Sequence, residues 1–302
     1  MPGVFGFTNN TKESVNRNIS LNNLFNKIHD FHRKHDFINE YITNVIVGFD
    51  FTENYKFHYQ IESLEIWIYG DPLIDGYTGN KALEKITDML FNSLPHFSSV
   101  ALIDGLFTIV VLDKSKQKLY IIGDRNGLSH VYYGVFNGQL IWGSELRFFL
   151  NQNIKTTIRR QSITTFLDLG YLIGDTTWFN EIQLLSPASF LEWDLSKGQL
   201  DGINEYWSHK SLDSKRDIKD EDKIVKDLAD LFSQAVKKRV GDEERVGITL
   251  SGGLDSRAIF ANIPKRNQEF IAITRGIKDC GDIKIASKVA KSVRIASMYY
   301  GI

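Results

Sequence analysis

The sequence predicts an α+β domain followed by an α/β domain, and three observations support this fold class. Residues 1–205 contain many short stretches of β-branched and aromatic residues, separated by turn residues, with few helices among them. Helical and strand-like stretches alternate from residue 222 onward, which is typical of a parallel sheet. A polar segment without apolar periodicity separates the two patterns. We therefore predict a first domain at residues 1–206, a linker at 207–221 and a second domain at 222–302.

The first domain is predicted to consist of layered antiparallel sheets covered by helices. Asn137-Gly138 is a strong two-residue hairpin signal between two of its strands. Two stretches have apolar residues at helical spacing, "SLNNLFNKIHDFHRKH" (20–35) and "NKALEKITDMLFNSL" (80–94). Six stretches have the composition of strands: "NVIVGFDF", "LEIWIYG", "LFTIVVLD", "KLYIIGD", "VYYGVF" and "QLIWGSE".

The second domain is predicted to be a doubly wound parallel α/β domain. It begins with a helix, "EDKIVKDLADLFSQAVKKRV", whose apolar residues are in helical register. The strand "RVGITL", a glycine turn and a helix from about Asp255 follow, and then the strand "EFIAIT" and a helix starting near Asp282. This order implies parallel strands. Because we expect only two strands before Ile302, we expect the second domain to be incomplete.

Composition and charge exclude several classes of protein. The formal net charge of −1 gives no global field that would attract nucleic acid or an anionic membrane. The single cysteine, Cys280, allows no intrachain disulfide, which fits a reducing compartment. We find neither a signal-peptide pattern nor an apolar stretch of about 18 residues. We therefore expect a cytoplasmic protein that binds neither nucleic acid nor membranes.

The stretch "SGGLDS" (251–256) carries the clearest chemical signal. A glycine turn between a strand and a helix presents unpaired backbone N–H groups to an anion such as phosphate. Gly252 and Gly253 allow close approach and unusual φ values, and the hydroxyls of Ser251 and Ser256 can donate to phosphate oxygens. Asp255 would face the anion through Mg²⁺, which accepts both carboxylate and phosphate oxygens. The alternative is a simple turn in which Asp255 or Ser256 caps the helix.

Several stretches in the right order resemble the asparagine synthetase family. This resemblance implies an N-terminal αββα sandwich of the Ntn-hydrolase type, similar to class II glutamine amidotransferase domains. It also implies that the second domain is the truncated start of an ATP-pyrophosphatase (PP-loop) domain. The stretches are "GVFGF", "DGLFTIVVLD", "IGDRNGLSHVYY" with "GQLIWGSELRFFL", "SPASFLEWD", "EYWS", "VGITLSGGLDSRAIF" and "DIKIASKVA".

The first domain departs from the family at its catalytic positions. In the family, a cysteine follows the initiator methionine, and its thiolate attacks glutamine with help from its own α-amine. The matching position here is Pro2, which has neither a thiol nor a hydroxyl. The family's N-G-E-x-x-N stretch supplies an oxyanion-hole amide, but Tyr69 takes the place of its asparagine. The losses predict that the domain does not hydrolyse glutamine, as in relatives that form lactams or isopeptide bonds.

For the second domain, the resemblance implies a binding site for ATP and Mg²⁺. Asp255 would hold the Mg²⁺, while Thr249 and Arg275 occupy positions at which the family uses backbone groups near adenosine. Asp282 is either a helix N-cap or a group near the metal, and the N-cap is favoured. The residues that would cradle the pyrophosphate are Ser251, Gly252, Gly253 and Ser256.

The resemblance implies an ATP-dependent ligase that forms amides, the chemistry of asparagine biosynthesis. A small amino-acid or peptide carboxylate would be adenylated, and an amine would then displace AMP. The family's second acidic loop and its catalytic lysine are expected beyond Ile302, so the ligase site is incomplete in this chain. The alternatives are one chain of a split ligase, a non-catalytic scaffold that binds ATP, and a lactam or isopeptide synthetase. The partners expected are a second copy of this chain in a homodimer, or a second chain that completes the synthetase domain.

Overall fold

The computed structural model describes residues 4–8, 40–42, 45–49, 58–94, 96–150, 154–211, 220–241, 245–264, 269–292 and 296–301. Pro2 and the predicted helix at 20–35 lie outside this part of the chain. The chain divides into two compact units, one of residues 1–75 and 79–212 and the other of residues 76–78 and 213–302. No helix in the described ranges has the length and apolar character needed to cross a membrane.

The described part of the first unit contains two six-stranded antiparallel sheets. In chain order its strands are β1 (Val4–Thr8), β2 (Glu40–Ile42), β3 (Val45–Phe49), β4 (His58–Ile61), β5 (Leu64–Leu73), β6 (Asp104–Asp113), β7 (Lys118–Gly123), β8 (Tyr132–Phe136), β9 (Gln139–Gly143), β10 (Gln183–Leu184), β11 (Ser189–Asp194) and β12 (Gln199–Glu205). One sheet has the order β10-β8-β9-β1-β3-β2, and the other has the order β12-β11-β7-β6-β5-β4.

Among the described residues, the helices of the first unit are α1 (Gly79–Ser93), α2 (Leu146–Leu150) and α3 (Arg160–Leu169), with short 3₁₀ helices at Phe97–Leu102 and His209–Ser211. α1 covers the outer face of the sheet that contains β6, because its buried residues Leu83, Ile86 and Leu90 share a core with Ile109 and Ile122. The helical spacing of apolar residues in "NKALEKITDMLFNSL" predicted this helix, and the prediction is confirmed.

The two sheets pack against each other. Trp67 and Val110 of one sheet share a core with Tyr133 and Trp142 of the other. The sheet that contains β8 and β9 packs on its outer face against α2 through Phe148. The layer order is therefore helix, sheet, sheet, helix, and the predicted αββα sandwich is confirmed.

The Asn137-Gly138 turn connects β8 to β9, as the sequence predicted. Both residues have positive φ, 53° at Asn137 and 73° at Gly138. Two consecutive positive φ values define the type I′ turn, whose twist matches that of the flanking strands. β5 and β6 each extend beyond the predicted stretch because they pair with each other along ten residues, from Leu64 opposite Asp113 to Leu73 opposite Asp104.

The second unit is a parallel α/β structure. Its elements are α4 (Glu221–Val240), β13 (Arg245–Thr249), α5 (Leu254–Ala261), β14 (Glu269–Gly276), α6 (Gly281–Ser292) and β15 (Ala296–Gly301). β13 pairs with β14 and β14 with β15, all in parallel. The prediction of only two strands is wrong, because "ASMYYG" forms a third. Its mixed composition lacks the alternation that identifies a strand, and two of its apolar residues, Met298 and Tyr299, remain exposed.

The core of the second unit lies between the sheet and α6. Leu250 and Ala272 pack against Ala286 and Ala290, which lie one turn apart on α6. The small alanine side chains let the helix approach the sheet closely. The strand order β13-β14-β15 is sequential, so the reversal that defines a doubly wound sheet does not occur among the described strands.

α4 has the predicted bounds but not the predicted burial. It begins at Glu221, the first residue of the predicted helical stretch, because the Asp220 side chain accepts the backbone N–H of Lys223 at 3.1 Å and so caps the helix. Its predicted apolar face is exposed, since Leu228 and Leu231 have 65% and 63% of their surface accessible. Helical periodicity predicted the helix, but it did not predict what would cover the apolar face.

Candidate active site

The loop "SGGLDS" starts where β13 ends and leads into α5, at the carboxyl edge of the parallel sheet. Gly253 is the N-cap of α5, with extended backbone angles (φ −68°, ψ 156°) and no side-chain cap. The alternative in which Asp255 or Ser256 caps the helix is therefore wrong, because both residues lie within its first turn. The loop instead presents the start of α5 directly, the arrangement that favours an anion.

The two serines of the loop hold it in shape. The backbone N–H of Ser251 donates to Ser256 Oγ at 3.1 Å, and the two hydroxyl oxygens lie 3.0 Å apart. The N–H of Gly253 donates to Ser251 Oγ at 3.1 Å. Both hydroxyls are half-buried inside the turn. The serines therefore bind the loop's own backbone in this structure, a role that the sequence did not predict.

Gly252 is in contact with a residue thirty positions further along the chain. Its backbone N–H donates to Asp282 Oδ1 at 2.8 Å. Asp282 lies in the first turn of α6, which begins at Gly281, so the favoured N-cap interpretation is wrong. The structure brings the first turn of α6 to the glycine loop, because parallel strands place their carboxyl ends and the helices that follow at one edge of the sheet.

The two glycines are required for space rather than for positive φ. Neither Gly252 nor Gly253 has a positive φ, contrary to the expectation of unusual backbone angles. A Cβ added to Gly252 would lie 2.8 Å from Asp282 Oδ1 and 3.1 Å from Ile285 Cδ1. One added to Gly253 would lie 3.2 Å from Ser251 Oγ. Close approach of other groups to this backbone therefore explains both glycines.

Asp255 is exposed in the first turn of α5. Arg257, two residues later, donates from Nε to the carbonyl of Gly253 at 3.1 Å. The described residues contain no group of three or more His, Cys, Asp or Glu side chains that could hold a metal ion. The first turn of α5 thus carries the Asp255 carboxylate and the Arg257 guanidinium at the surface.

Thr249 and Arg275 lie at the carboxyl edge of the sheet, and both are exposed. Thr249 is the last residue of β13, and Arg275 precedes the last residue of β14. Thr274, the residue before Arg275 on β14, was missed by sequence analysis. It is buried, and its hydroxyl donates to the Leu250 carbonyl at 2.8 Å. This bond fixes the residue immediately before the loop, and only the fold brings its two ends together.

Two domain families match the chain in sequence. The glutamine amidotransferase domain matches residues 96–207, and asparagine synthase matches residues 227–300. The two families occur in the order that the resemblance implied.

The chain belongs to the asparagine synthetase family.

Curated relatives agree with this membership. The chain is 25% identical to asparagine synthetase [glutamine-hydrolyzing] 2 of Bacillus subtilis over 63% of its own length and 27% of that protein. It is 30% identical to asparagine synthetase [glutamine-hydrolyzing] 3 of the same organism, over 53% of this chain and 25% of that one. An amidase of Gibberella zeae is 24% identical over 54% of this chain and 24% of the amidase. The chain therefore spans about a quarter of these relatives.

Among solved structures, the chain is similar to a glutamine phosphoribosylpyrophosphate amidotransferase from B. subtilis complexed with ADP and GMP. The TM-score is 0.45 at 10% sequence identity, over 98% of this chain and 65% of that one.

The glutaminase-type positions of this asparagine synthetase relative divide between described and undescribed residues. Pro2 lies outside the described part of the chain. Tyr69 and Gly70 lie within β5, paired with Thr108 and Phe107 of β6. Gly70 has φ 108°, and a Cβ there would come 2.3 Å from the Leu106 carbonyl oxygen. The strand continues through this stretch only because residue 70 is glycine.

Proposed function

We propose that the second unit is the nucleotide-binding part of an ATP-dependent, amide-forming ligase. The observation that carries this proposal is the strand–loop–helix geometry of "SGGLDS", with Gly252 and Gly253 at the point of closest approach and the start of α5 open beyond them. An anion at such a position is stabilised by backbone N–H groups and by the helix dipole. Membership of the asparagine synthetase family supports ATP as that anion.

The residues present fit a magnesium–pyrophosphate group. Ser251, Gly252, Gly253 and Ser256 would cradle the phosphates, and Asp255 would hold Mg²⁺ against them. A carboxylate oxygen is a ligand that Mg²⁺ prefers, and Mg²⁺ commonly takes one or two carboxylates together with substrate phosphates. The ion supplies neutralisation of the phosphate charge. Thr249 and Arg275 lie at the same edge of the sheet and would contact the rest of the nucleotide.

The proposed reaction has two steps. A carboxylate oxygen of a small amino acid or peptide attacks the α-phosphorus of ATP, and the bond to the β-phosphate oxygen breaks, releasing pyrophosphate. An amine nitrogen then attacks the carbonyl carbon of the acyl-adenylate, AMP leaves, and the amine loses a proton. Aspartate is the first acid to test. The amine would be free ammonia or an amino group of the substrate itself, because we propose that the first unit releases no ammonia from glutamine.

We propose that the first unit has lost glutaminase activity because of the side chains at positions 2 and 69. Pro2 offers no thiol for attack on glutamine, and Tyr69 offers no amide for an oxyanion hole. We expect purified protein to release no ammonia from glutamine above the rate of a heat-denatured sample. The variant Pro2→Cys restores only the nucleophile. It should still release no ammonia from glutamine, since the oxyanion donor is absent. Ammonia release by the wild type would refute this part of the proposal.

The ligase proposal is tested by exchange of labelled pyrophosphate into ATP, which reports adenylation of the carboxylate. Wild-type protein is assayed with aspartate and with small peptide acids. Asp255→Ala should reduce the exchange rate at least about a hundredfold, the order expected when a charge-stabilising group is lost. Asp230→Ala removes an equally exposed carboxylate from α4 and should leave the rate unchanged.

The exchange assay should compare two samples. One is this chain alone, and the other is this chain together with a co-expressed or fused polypeptide that carries the rest of an asparagine synthetase domain. Exchange that requires the second polypeptide would place the remaining ligase residues there. If neither assembly exchanges pyrophosphate with any acid, the second candidate holds: a non-catalytic protein that binds ATP. Equilibrium binding of ATP would then separate that candidate from a scaffold that binds nothing. We expect the protein to act in a reducing cytoplasm, and cell fractionation tests that expectation.

A further inference from the structure

The loop that we propose to bind pyrophosphate has its backbone donors already engaged. Three consecutive N–H groups, those of Ser251, Gly252 and Gly253, each donate to a side-chain oxygen at 2.8–3.1 Å. Two of the acceptors are hydroxyls of the loop and of the first turn of α5. The third, at Gly252, is a carboxylate that reaches the loop from another helix. Of these three contacts, only the one at Gly252 has a negatively charged acceptor.

The Asp282 carboxylate occupies a place suited to an anion. It lies in the first turn of α6, where the helix dipole stabilises negative charge. It accepts a backbone N–H of the kind that a bound phosphate oxygen would accept. Its chemistry at Gly252 is therefore that of the ligand the loop is built to receive.

A phosphate group and this carboxylate cannot both take the Gly252 N–H in the observed geometry. The bond is short, 2.8 Å, and there is little room around it, because a single Cβ at Gly252 would already lie 3.3 Å from Asp282 Cα. Two anions placed side by side also repel each other unless a cation lies between them. Entry of pyrophosphate thus requires Asp282 to release the N–H.

We propose that Asp282 is a displaceable internal anion that holds the empty pyrophosphate loop closed. The carboxylate occupies Gly252 until the magnesium–pyrophosphate part of the nucleotide takes its place, and it lowers the affinity of the loop for that ligand. This inference rests on the proposed function, since it assumes that pyrophosphate binds here. It assigns Asp282 a role opposite to that of a metal-binding or ligand-binding residue.

The test is a calorimetric titration of wild-type and variant protein with magnesium pyrophosphate, which measures the affinity directly. Asp282→Ala removes the competing acceptor and should tighten binding about tenfold. This is the affinity expected from one charged hydrogen bond that the ligand no longer has to break. Asp282→Asn keeps a neutral acceptor and should fall between the wild type and the alanine variant. Asp279→Asn removes a charge three residues before Asp282, in the turn that leads into α6, and it should change the affinity less than twofold.

The outcomes separate this inference from the proposed function. If the wild type binds magnesium pyrophosphate and Asp282→Ala binds it equally or more weakly, the internal-anion role is wrong, while the pyrophosphate site stands. If neither the wild type nor any variant binds it, the proposed function fails and the inference fails with it. If Asp279→Asn tightens binding as much as Asp282→Ala does, the effect is one of general charge, and the specific role is wrong.

Amide hydrogen exchange of the ligand-free protein provides a measurement that does not depend on any nucleotide. We expect the Gly252 amide to exchange at least about tenfold faster in Asp282→Ala than in the wild type, because its acceptor is gone. Amides in the core strand β14 should be unchanged, which shows that the variant is folded. Equal exchange of Gly252 in both proteins would overturn the contact on which the inference depends.

Discussion

Gly252 is the residue at which the loop has least space for a side chain. In Gly252→Ala, the new Cβ would lie 2.8 Å from Asp282 Oδ1 and 3.1 Å from Ile285 Cδ1, so the loop or α6 must move. We expect binding of magnesium pyrophosphate to weaken at least about tenfold. Gly281→Ala is the matched control, since nothing lies within 4 Å of its Cβ. Equal affinities of the two variants, measured by calorimetry, would contradict the steric argument.

Asp124 is a buried carboxylate that organises the turn after β7. It is fully buried and accepts the backbone N–H groups of Asn126, Leu128 and Ser129 at 2.9, 3.1 and 2.6 Å. Asp124→Asn replaces one accepting oxygen by an NH₂ group that faces donors. We expect the free energy of unfolding in urea to fall by about 2–3 kcal/mol. Asp88→Asn, on the exposed side of α1, should change it by less than about 0.5 kcal/mol.

Sequence analysis predicted the residues of the loop but not their partners. The glycines, serines and aspartate of "SGGLDS" form a local pattern, so their proximity follows from the chain itself. Asp282 and Thr274 reach the loop from 30 and 24 residues away, and only the pairing of β13 with β14 brings them there. The N-cap expectation failed because Gly253, with its extended backbone, precedes the helix directly.

At the scale of elements, α4 shows what hydrophobic periodicity can and cannot predict. The bounds of the predicted stretch "EDKIVKDLADLFSQAVKKRV" coincide with the observed helix, since an acidic first turn and a basic last turn mark its two ends. Its burial follows a different pattern. Only Val236 and Val240 are buried, while the residues expected to face the core remain exposed.

This exposure can be tested by paired substitutions in α4. Val236→Ala should lower the free energy of unfolding by about 1–2 kcal/mol, since it removes buried methyl groups. Leu231→Ala should change it by less than about 0.5 kcal/mol, although the side chain is larger, because it lies at the surface. Urea unfolding followed by circular dichroism compares them. A loss at Leu231 that exceeds the loss at Val236 would show that this face is covered in solution.

The strands illustrate the same division between local and distant information. The β8–β9 hairpin was predictable because Asn137-Gly138 determines its turn, and the alternating apolar residues on either side determine its register. β10 and β15 are two of the strands that were not predicted. β10 has only two residues, Gln183 and Leu184, and β15 is paired on one side only among the described strands. Such strands depend on the neighbour that they pair with more than on their own composition.

At the scale of the whole molecule, buried tyrosines should set the alkaline limit of the sandwich. Burial, with nearby Glu192, raises the pKa of Tyr120 to about 12, and burial with nearby Asp175 raises the pKa of Tyr133 to about 12. The ordinary pKa of tyrosine is 10.0. The folded state therefore favours the neutral phenol, so this contribution to stability is fully present below about pH 10 and is lost as the pH rises toward 12.

We expect alkaline unfolding of the first unit to coincide with ionisation of these phenols. Tyrosinate absorbance and far-ultraviolet circular dichroism, followed together against pH, should change in one transition for the buried class. Tyr120→Phe removes one such group and should move the midpoint to higher pH. Complete ionisation of all tyrosines while the circular dichroism remains native would contradict the expected burial.

The sequential order β13-β14-β15 has a geometric consequence for the glycine loop. In open parallel sheets, a cleft forms where the connections of two adjacent strands leave toward opposite faces. The loop follows β13, which is the edge strand of the described sheet, so it forms one wall of a cleft whose other side is open to solvent. A further parallel strand paired with β13, with its connection on the other face, would supply the second wall. The same six residues would then line a cleft from which water is excluded, where hydrogen bonds to phosphate are stronger.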